Sequence, residues 1–172
     1  MLDVTEINHM NGFGFACMIA LGVMPTMALA GDTDWQTYVL PKSGAAVLVP
    51  VAVFSRDGGT PEDGLGRRLT TDDGRADLTI QAIPNPANDS PGRFLAKMQP
   101  PSGIVYKRVT PDFFVVSSVR NGKIWYDRCN RSTVSGSGDY MNCVLINYPA
   151  AEKRQWDGIV TRISHSLAER RR

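Results

Sequence analysis

Cysteine and histidine are scarce in this chain of 172 residues, which carries three of the first and two of the second. That shortage removes whole classes of chemistry. A zinc site draws most of its ligands from these two residue types, yet Cys129 and Cys143 have no histidine near them in sequence. A Ser-His-Asp hydrolase needs an imidazole in a cleft beside a nucleophile. No serine here occupies a Gly-x-Ser-x-Gly elbow, and His165 falls on the polar side of a C-terminal helical pattern, facing solvent. Basic runs are equally rare: Arg170-Arg171-Arg172 is the only one, and it reads as a solvated helix end that complements the helix dipole. With the other cations scattered and a net charge of only +2, nucleic-acid binding has no electrostatic footprint. Asp57, Glu62, Asp63, Asp72 and Asp73 do not follow a calcium-loop spacing and read as turn-forming acids. No internal repeat is present, and nothing calls for a cofactor or a metal.

What the chain does have is an apolar run from Phe13 to Ala30, closing on Ala28-Leu29-Ala30 before the polar Gly31-Asp32-Thr33-Asp34. Its length, Pro25 near the end and the small-x-small close fit a secretory leader over residues 1–30, cleaved between Ala30 and Gly31. Asp3 and Glu6 without a Lys or Arg make the first twelve residues atypical; a start at Met10 removes both acids. The competing readings are an uncleaved anchor and a core helix. Gly14, Gly22 and Pro25 disfavour a soluble helix, and about 18 residues barely span a bilayer. Cys17 lacks the preceding aliphatic pattern of a lipoprotein. The expectation is therefore a periplasmic or secreted protein that meets the membrane only transiently, during export. Loss of the leader leaves 142 residues, one domain over 31–172, and moves the net charge to +4.

The remaining chain reads as α+β. Ala45 to Val49 form a short buried strand between Gly44 and Pro50, while Ser55 to Gly66, rich in glycine and acids, reads as a long flexible loop. Arg67 to Thr71 and Arg75 to Ile83 flank Asp72-Asp73-Gly74 as a hairpin. Ser90 caps a short helix that starts at Pro91 and ends before Pro100-Pro101. Segments 103–109, 113–119, 122–130 and 140–148, rich in Val, Ile, Phe and Tyr, read as a four-stranded antiparallel meander. The closing helix, started by Pro149, aligns Trp156, Ile159, Val160, Ile163 and Leu167 on one face; Gly158, beside that stripe, is expected to allow close approach. The total is an antiparallel meander of about six strands, a short middle helix and a long C-terminal amphipathic helix.

Without the leader only Cys129 and Cys143 remain, an even count in an oxidising compartment, so a disulfide is expected. A hairpin centred on Gly136 sets these two residues directly opposite one another. The same register pairs Tyr126 with Ile146 and Ile124 with Tyr148, and a slip of one residue would scatter all of them. The bridge reads as structural, because 13 intervening residues do not build the Cys-x-x-Cys turn of a catalytic dithiol. Phe113-Phe114 places one ring on each face of its strand, which suits a strand covered on both sides; an exposed ring on a partner surface is the alternative. Trp35 is expected to anchor its own segment. Asn88-Asp89-Ser90 and Asn130-Arg131-Ser132 match glycosylation acceptors at chance level.

Tyr38 through Phe54, TTDDGRADLTI ending at Ile80, FFVVSSVRNGKIWYDR ending at Arg128, and the closing Tyr148-Pro149 with Lys153, Trp156-Asp157, Ile159-Val160 and Ile163 together resemble the small exported bacterial proteins with a PsbP-like fold. The resemblance implies a three-layer α/β/α sandwich and carries over no catalytic residue. It implies an accessory or binding role by fold analogy alone. The functional expectation is a non-enzymatic envelope protein that binds an unknown envelope protein or small ligand through loop 55–66 and an adjoining sheet surface, with Asp57, Glu62, Asp63 and Phe113 as candidate contacts. A secreted hydrolase or thiol oxidoreductase, and a structural component of an envelope assembly, are the alternatives.

Overall fold

In the computed structural model, residues 34–98, 102–132 and 140–169 are described. The expected leader with its Ala30/Gly31 junction, the expected turn at Gly136 and the Arg170–Arg172 tail lie outside them. Among the described residues no helix is long and apolar enough to cross a membrane. The chain runs β1 (Trp35–Val39), β2 (Ala45–Pro50), β3 (Arg56–Gly59), β4 (Leu65–Thr70), β5 (Asp77–Pro84), α1 (Pro91–Lys97), β6 (Ile104–Val109), β7 (Phe113–Arg120), β8 (Lys123–Arg131) and β9 (Tyr140–Pro149). A 3-10 turn at Ala150–Glu152 leads into α2 (Lys153–Ser166) and the two-residue β10 (Ala168–Glu169).

Seven strands form the main antiparallel sheet in the order β3-β4-β5-β9-β8-β7-β6, and β1-β2-β10 form a second, smaller one. The main sheet joins two meanders. β9, the last strand of the second meander, returns to pair with β5 of the first, from Asp77↔Asn147 to Pro84↔Tyr140. Period-2 alternation then sorts side chains between two cores. Leu78, Ile80 and Ala82 of β5, Val144 and Ile146 of β9 and Ile124 of β8 pack on Val47 and Val49 of β2 and on Trp156, Val160 and Ile163 of α2. Trp156 stacks on Tyr148, with ring centres 5.5 Å apart, and tilts against Phe54 at 5.8 Å. On the other face, Phe94 and Leu95 of α1 cover Phe114, Val116, Met141, Cys129 and Cys143.

The β8–β9 register sets Cys129 opposite Cys143, with Tyr126↔Ile146 and Ile124↔Tyr148 alongside. The two sulfurs are joined, 2.06 Å apart, and neither residue is exposed. At the β7–β8 turn Asn121 and Gly122 both have positive φ, 49° and 73°, the backbone twist that a two-residue hairpin turn needs. Ser90 caps α1 by accepting the Arg93 N–H, with Pro91 at the first position.

Four expectations are corrected. Residues 55–66 are not one flexible loop, because Arg56–Gly59 pair with β4 from Arg56↔Thr70 to Gly59↔Arg68 and the segment ends inside β4. Deleting it would remove an edge of the sheet. The main sheet has seven strands, that edge being the uncounted one. The terminal helix begins at Lys153 after the 3-10 turn, four residues later than the expected start at Pro149. Gly158 is exposed, and nothing lies within 4 Å of where its Cβ would stand, so no close approach depends on it.

Two glycines should therefore respond oppositely to the same substitution. Gly158→Ala is expected to raise stability by about 0.5–1 kcal/mol through helix propensity. At Gly66 an added Cβ would stand 1.9 Å from the Ile80 carbonyl oxygen across the β4–β5 pair, so Gly66→Ala should destabilise clearly. Denaturant titration of both variants checks the pair. Replacing both Cys129 and Cys143 by Ala is expected to cost on the order of 3 kcal/mol in the chain-entropy account, read by the same titration.

Candidate functional site

Three of the five acidic residues of 55–73 are already ion-paired. Asp57 accepts from the Arg67 guanidinium at 3.0 Å and from the Gly59 N–H, and both hold its carboxyl below the usual range. Asp72 pairs with Arg56 at 2.7 Å, and Asp73 accepts from the Arg75 N–H and guanidinium and from Thr71. Glu62 and Asp63 are exposed in the turn between β3 and β4. Phe113 lies elsewhere. Four strands separate its strand from that of Asp57, which is roughly 24 Å at the usual strand spacing. The four candidate contacts thus do not form one surface.

The two rings at the start of β7 divide as alternation requires. Phe114 is buried under α1, whereas Phe113 is half-buried on the face that α2 covers. Two guanidiniums cover it: Arg128 of β8 at 4.6 Å from the ring centre and Arg108 of β6 at 5.4 Å. Both arginines are register partners of Val115, one from each side. Arg128 donates to the Asn130 side chain at 3.1 Å and to Ser164 Oγ at 3.4 Å. Burial lowers its pKa, and the nearby charge of Arg108 pushes the same way. Ser164, buried on α2, also shares a 2.6 Å hydrogen bond with the Tyr126 hydroxyl. Its partners are a phenol and a guanidinium, not an imidazole, and His165 beside it is exposed.

β6 borders this cluster and ends the sheet. All six of its residues are exposed, and Ile104, Val105, Tyr106, Val109 and the adjoining Val119 supply five of the seven large apolar side chains left exposed among the described residues. Val105 alone keeps 66% of its surface. The opposite edge, β3, is short, glycine-rich and ion-paired, with no large apolar side chain. Sheet edges offer unpaired N–H and C=O groups, and β3 is blunted in the usual way while β6 keeps an apolar surface. None of this was singled out from sequence. Ile104-Val105-Tyr106 is consecutive apolar, a pattern shared by a strand buried on both faces, so exposure could not be told from burial.

The face under α1 holds a second polar group. Asp127 of β8 is half-buried and pushed up to about 6, because burial penalises its charge and Arg120 offsets only part of that. Arg120 lies over the Trp125 ring at 4.3 Å. Ser118 Oγ, Asn147 Oδ1, Gln81 Oε1 and Arg120 Nε on this face are buried without a hydrogen-bond partner among the described residues. Trp35, at the start of β1, lies beneath Arg162 at 4.3 Å and packs on the main core, anchoring its own segment.

No family model and no curated protein matches the chain. Among solved structures it is similar to cyanobacterial PsbP (CyanoP) from Synechocystis sp. PCC 6803, known from its solution structure, with a TM-score of 0.56 and 11% sequence identity. That likeness covers 87% of this chain and 99% of the other. The fold is PsbP-like, and at this identity the likeness is one of fold alone.

Asp127 gives a pH dependence with a definite sign. A carboxyl whose folded pKa is about 6 against an ordinary 3.8 costs nothing when protonated in both states, and its penalty grows as pH rises through that interval. Asp127→Asn should therefore stabilise by up to about 3 kcal/mol at pH 7 and by little at pH 3.5. Melting curves across pH check it; a difference that does not change with pH would remove the charge from the account.

Proposed function

We propose that this chain is an exported, non-enzymatic accessory protein of the bacterial envelope, which binds another protein by accepting an extended segment along β6. The observation that carries the reading is the contrast between the two edges of one sheet: β3 is blunted, and β6 carries four of the seven large apolar side chains exposed among the described residues. Exposed apolar edges in soluble proteins mark either an aggregation hazard or a docking strand. Strand addition satisfies the edge by main-chain hydrogen bonds and reads alternate side chains. Export rests on the leader ending at Ala30, and the joined Cys129–Cys143 pair fits an oxidising compartment. A binding role is favoured over thiol chemistry because both sulfurs are fully buried, and over hydrolysis because Ser164 is engaged by Tyr126 and Arg128.

The test is site-specific photo-cross-linking in the intact envelope, with the probe at Val105 or at Glu62. A discrete adduct from Val105 and none from Glu62 is expected, together with a mature mass that begins at Gly31 and contains no free thiol. An adduct confined to Glu62 would move the site back to the acidic turn, and a retained leader with two free thiols would end the export reading.

A further inference from the structure

We propose that Arg108 and Arg128, stacked on Phe113, form a carboxylate-reading site, so that the segment accepted along β6 is acidic at alternate positions. This rests on the strand-addition reading and adds the chemistry of the partner. The argument begins with charge. Arg56, Arg67, Arg68, Arg75 and Arg93 each face a carboxylate, from Asp72, Asp57, Asp77, Asp73 and Asp89 respectively. Arg108 and Arg128 have no such partner among the described residues, and what Arg128 does contact, Asn130 and Ser164, is neutral. Two cations share one ring, and Arg128 is partly desolvated, its charge disfavoured by that burial and by the nearby Arg108. An anion bound beside the pair relieves both effects on Arg128.

Geometry selects the kind of anion. A guanidinium is a planar fork of N–H groups that matches a carboxylate in two-point contact; Arg108 is exposed and offers that fork, while Arg128 has its Nε and one terminal nitrogen on Asn130 and Ser164 and adds its remaining N–H groups and its charge. The α2 end of the sheet closes one side of the cluster through the Tyr126, Arg128 and Asn130 contacts to Ser164 and Leu167. The other side opens onto β6. Thr110 donates its N–H to the Phe113 carbonyl at 2.8 Å, so by antiparallel alternation Lys107 turns its main-chain groups away from β7, toward an incoming strand. Every second residue of that strand lies on the face of Tyr106 and Arg108, with its Cβ about 4.5–5.5 Å from its neighbour's. A glutamate there reaches the guanidinium of Arg108. A second copy of this chain does not suit the edge, because its own β6 would bring a second Lys107 and Arg108 to the same cations.

The mature protein is titrated with three short labelled peptides that alternate valine with glutamate, serine or lysine, read by fluorescence anisotropy. The glutamate peptide should bind about tenfold or more tightly than the serine peptide, and the lysine peptide weakest, with the glutamate preference shrinking as salt rises. Arg108→Gln, at an exposed side chain, should abolish that preference and leave the serine peptide unchanged. Arg128→Lys, which keeps charge but loses the fork, should reduce it. Lys107→Pro, checked for an unchanged melting temperature, should block all three. A glutamate preference that survives Arg108→Gln overturns the proposal. Equal binding of glutamate and serine peptides, both blocked by Lys107→Pro, overturns it while leaving strand addition standing. Binding untouched by Lys107→Pro overturns strand addition and this site with it. Arg108-dependent binding to anionic phospholipid vesicles, in place of peptide, also overturns it.

Discussion

The pairing of β9 with β5 is the constraint from which the rest of the molecule follows. Among the described residues it is the strand pairing that joins the two meanders into one sheet, across 70 residues of chain at its Asp77↔Asn147 end. Once β9 lies there, alternation leaves no freedom. Val144 and Ile146 must face α2 and β2, and Met141 and Cys143 must face α1. Each of the two helices is then required rather than decorative, because each covers a sheet face that would otherwise leave an apolar core in water.

Central strands are specified by what packs on both faces, and that specification was legible. The alternation of β5, the Asn121-Gly122 turn, the Ser90-Pro91 helix start and the α2 stripe are local signals whose physical cause lies within a few residues of each. The register of β8 on β9 could be read because three residue pairs agreed on it at once. β3 could not be read: Arg-Asp-Gly-Gly carries no alternation and is a strand only because β4 is beside it, so its structure belongs to tertiary context. The 3-10 turn before α2 is a boundary effect of the kind local patterns fix poorly.

The candidate site was legible in part. Phe113 was visible as a ring that alternation must send away from Phe114. Its significance was not, because Arg108 and Arg128 are 20 residues apart and become neighbours only once three strands are aligned in register. Asp57, Asp72 and Asp73 drew notice in sequence for the same reason they are inert in the fold. Their density is local, and so are the arginines that neutralise them.

The bridge between Cys129 and Cys143 links residues that oppose one another on adjacent strands. A hairpin slid by one position would carry one sulfur through to the far side of the sheet, out of reach of the other. Within the formed hairpin the bond fits the observed register and not one slid by a single residue, and there it is hidden beneath α1. The covalent bond acts as a record of successful folding that the finished protein no longer exposes to revision.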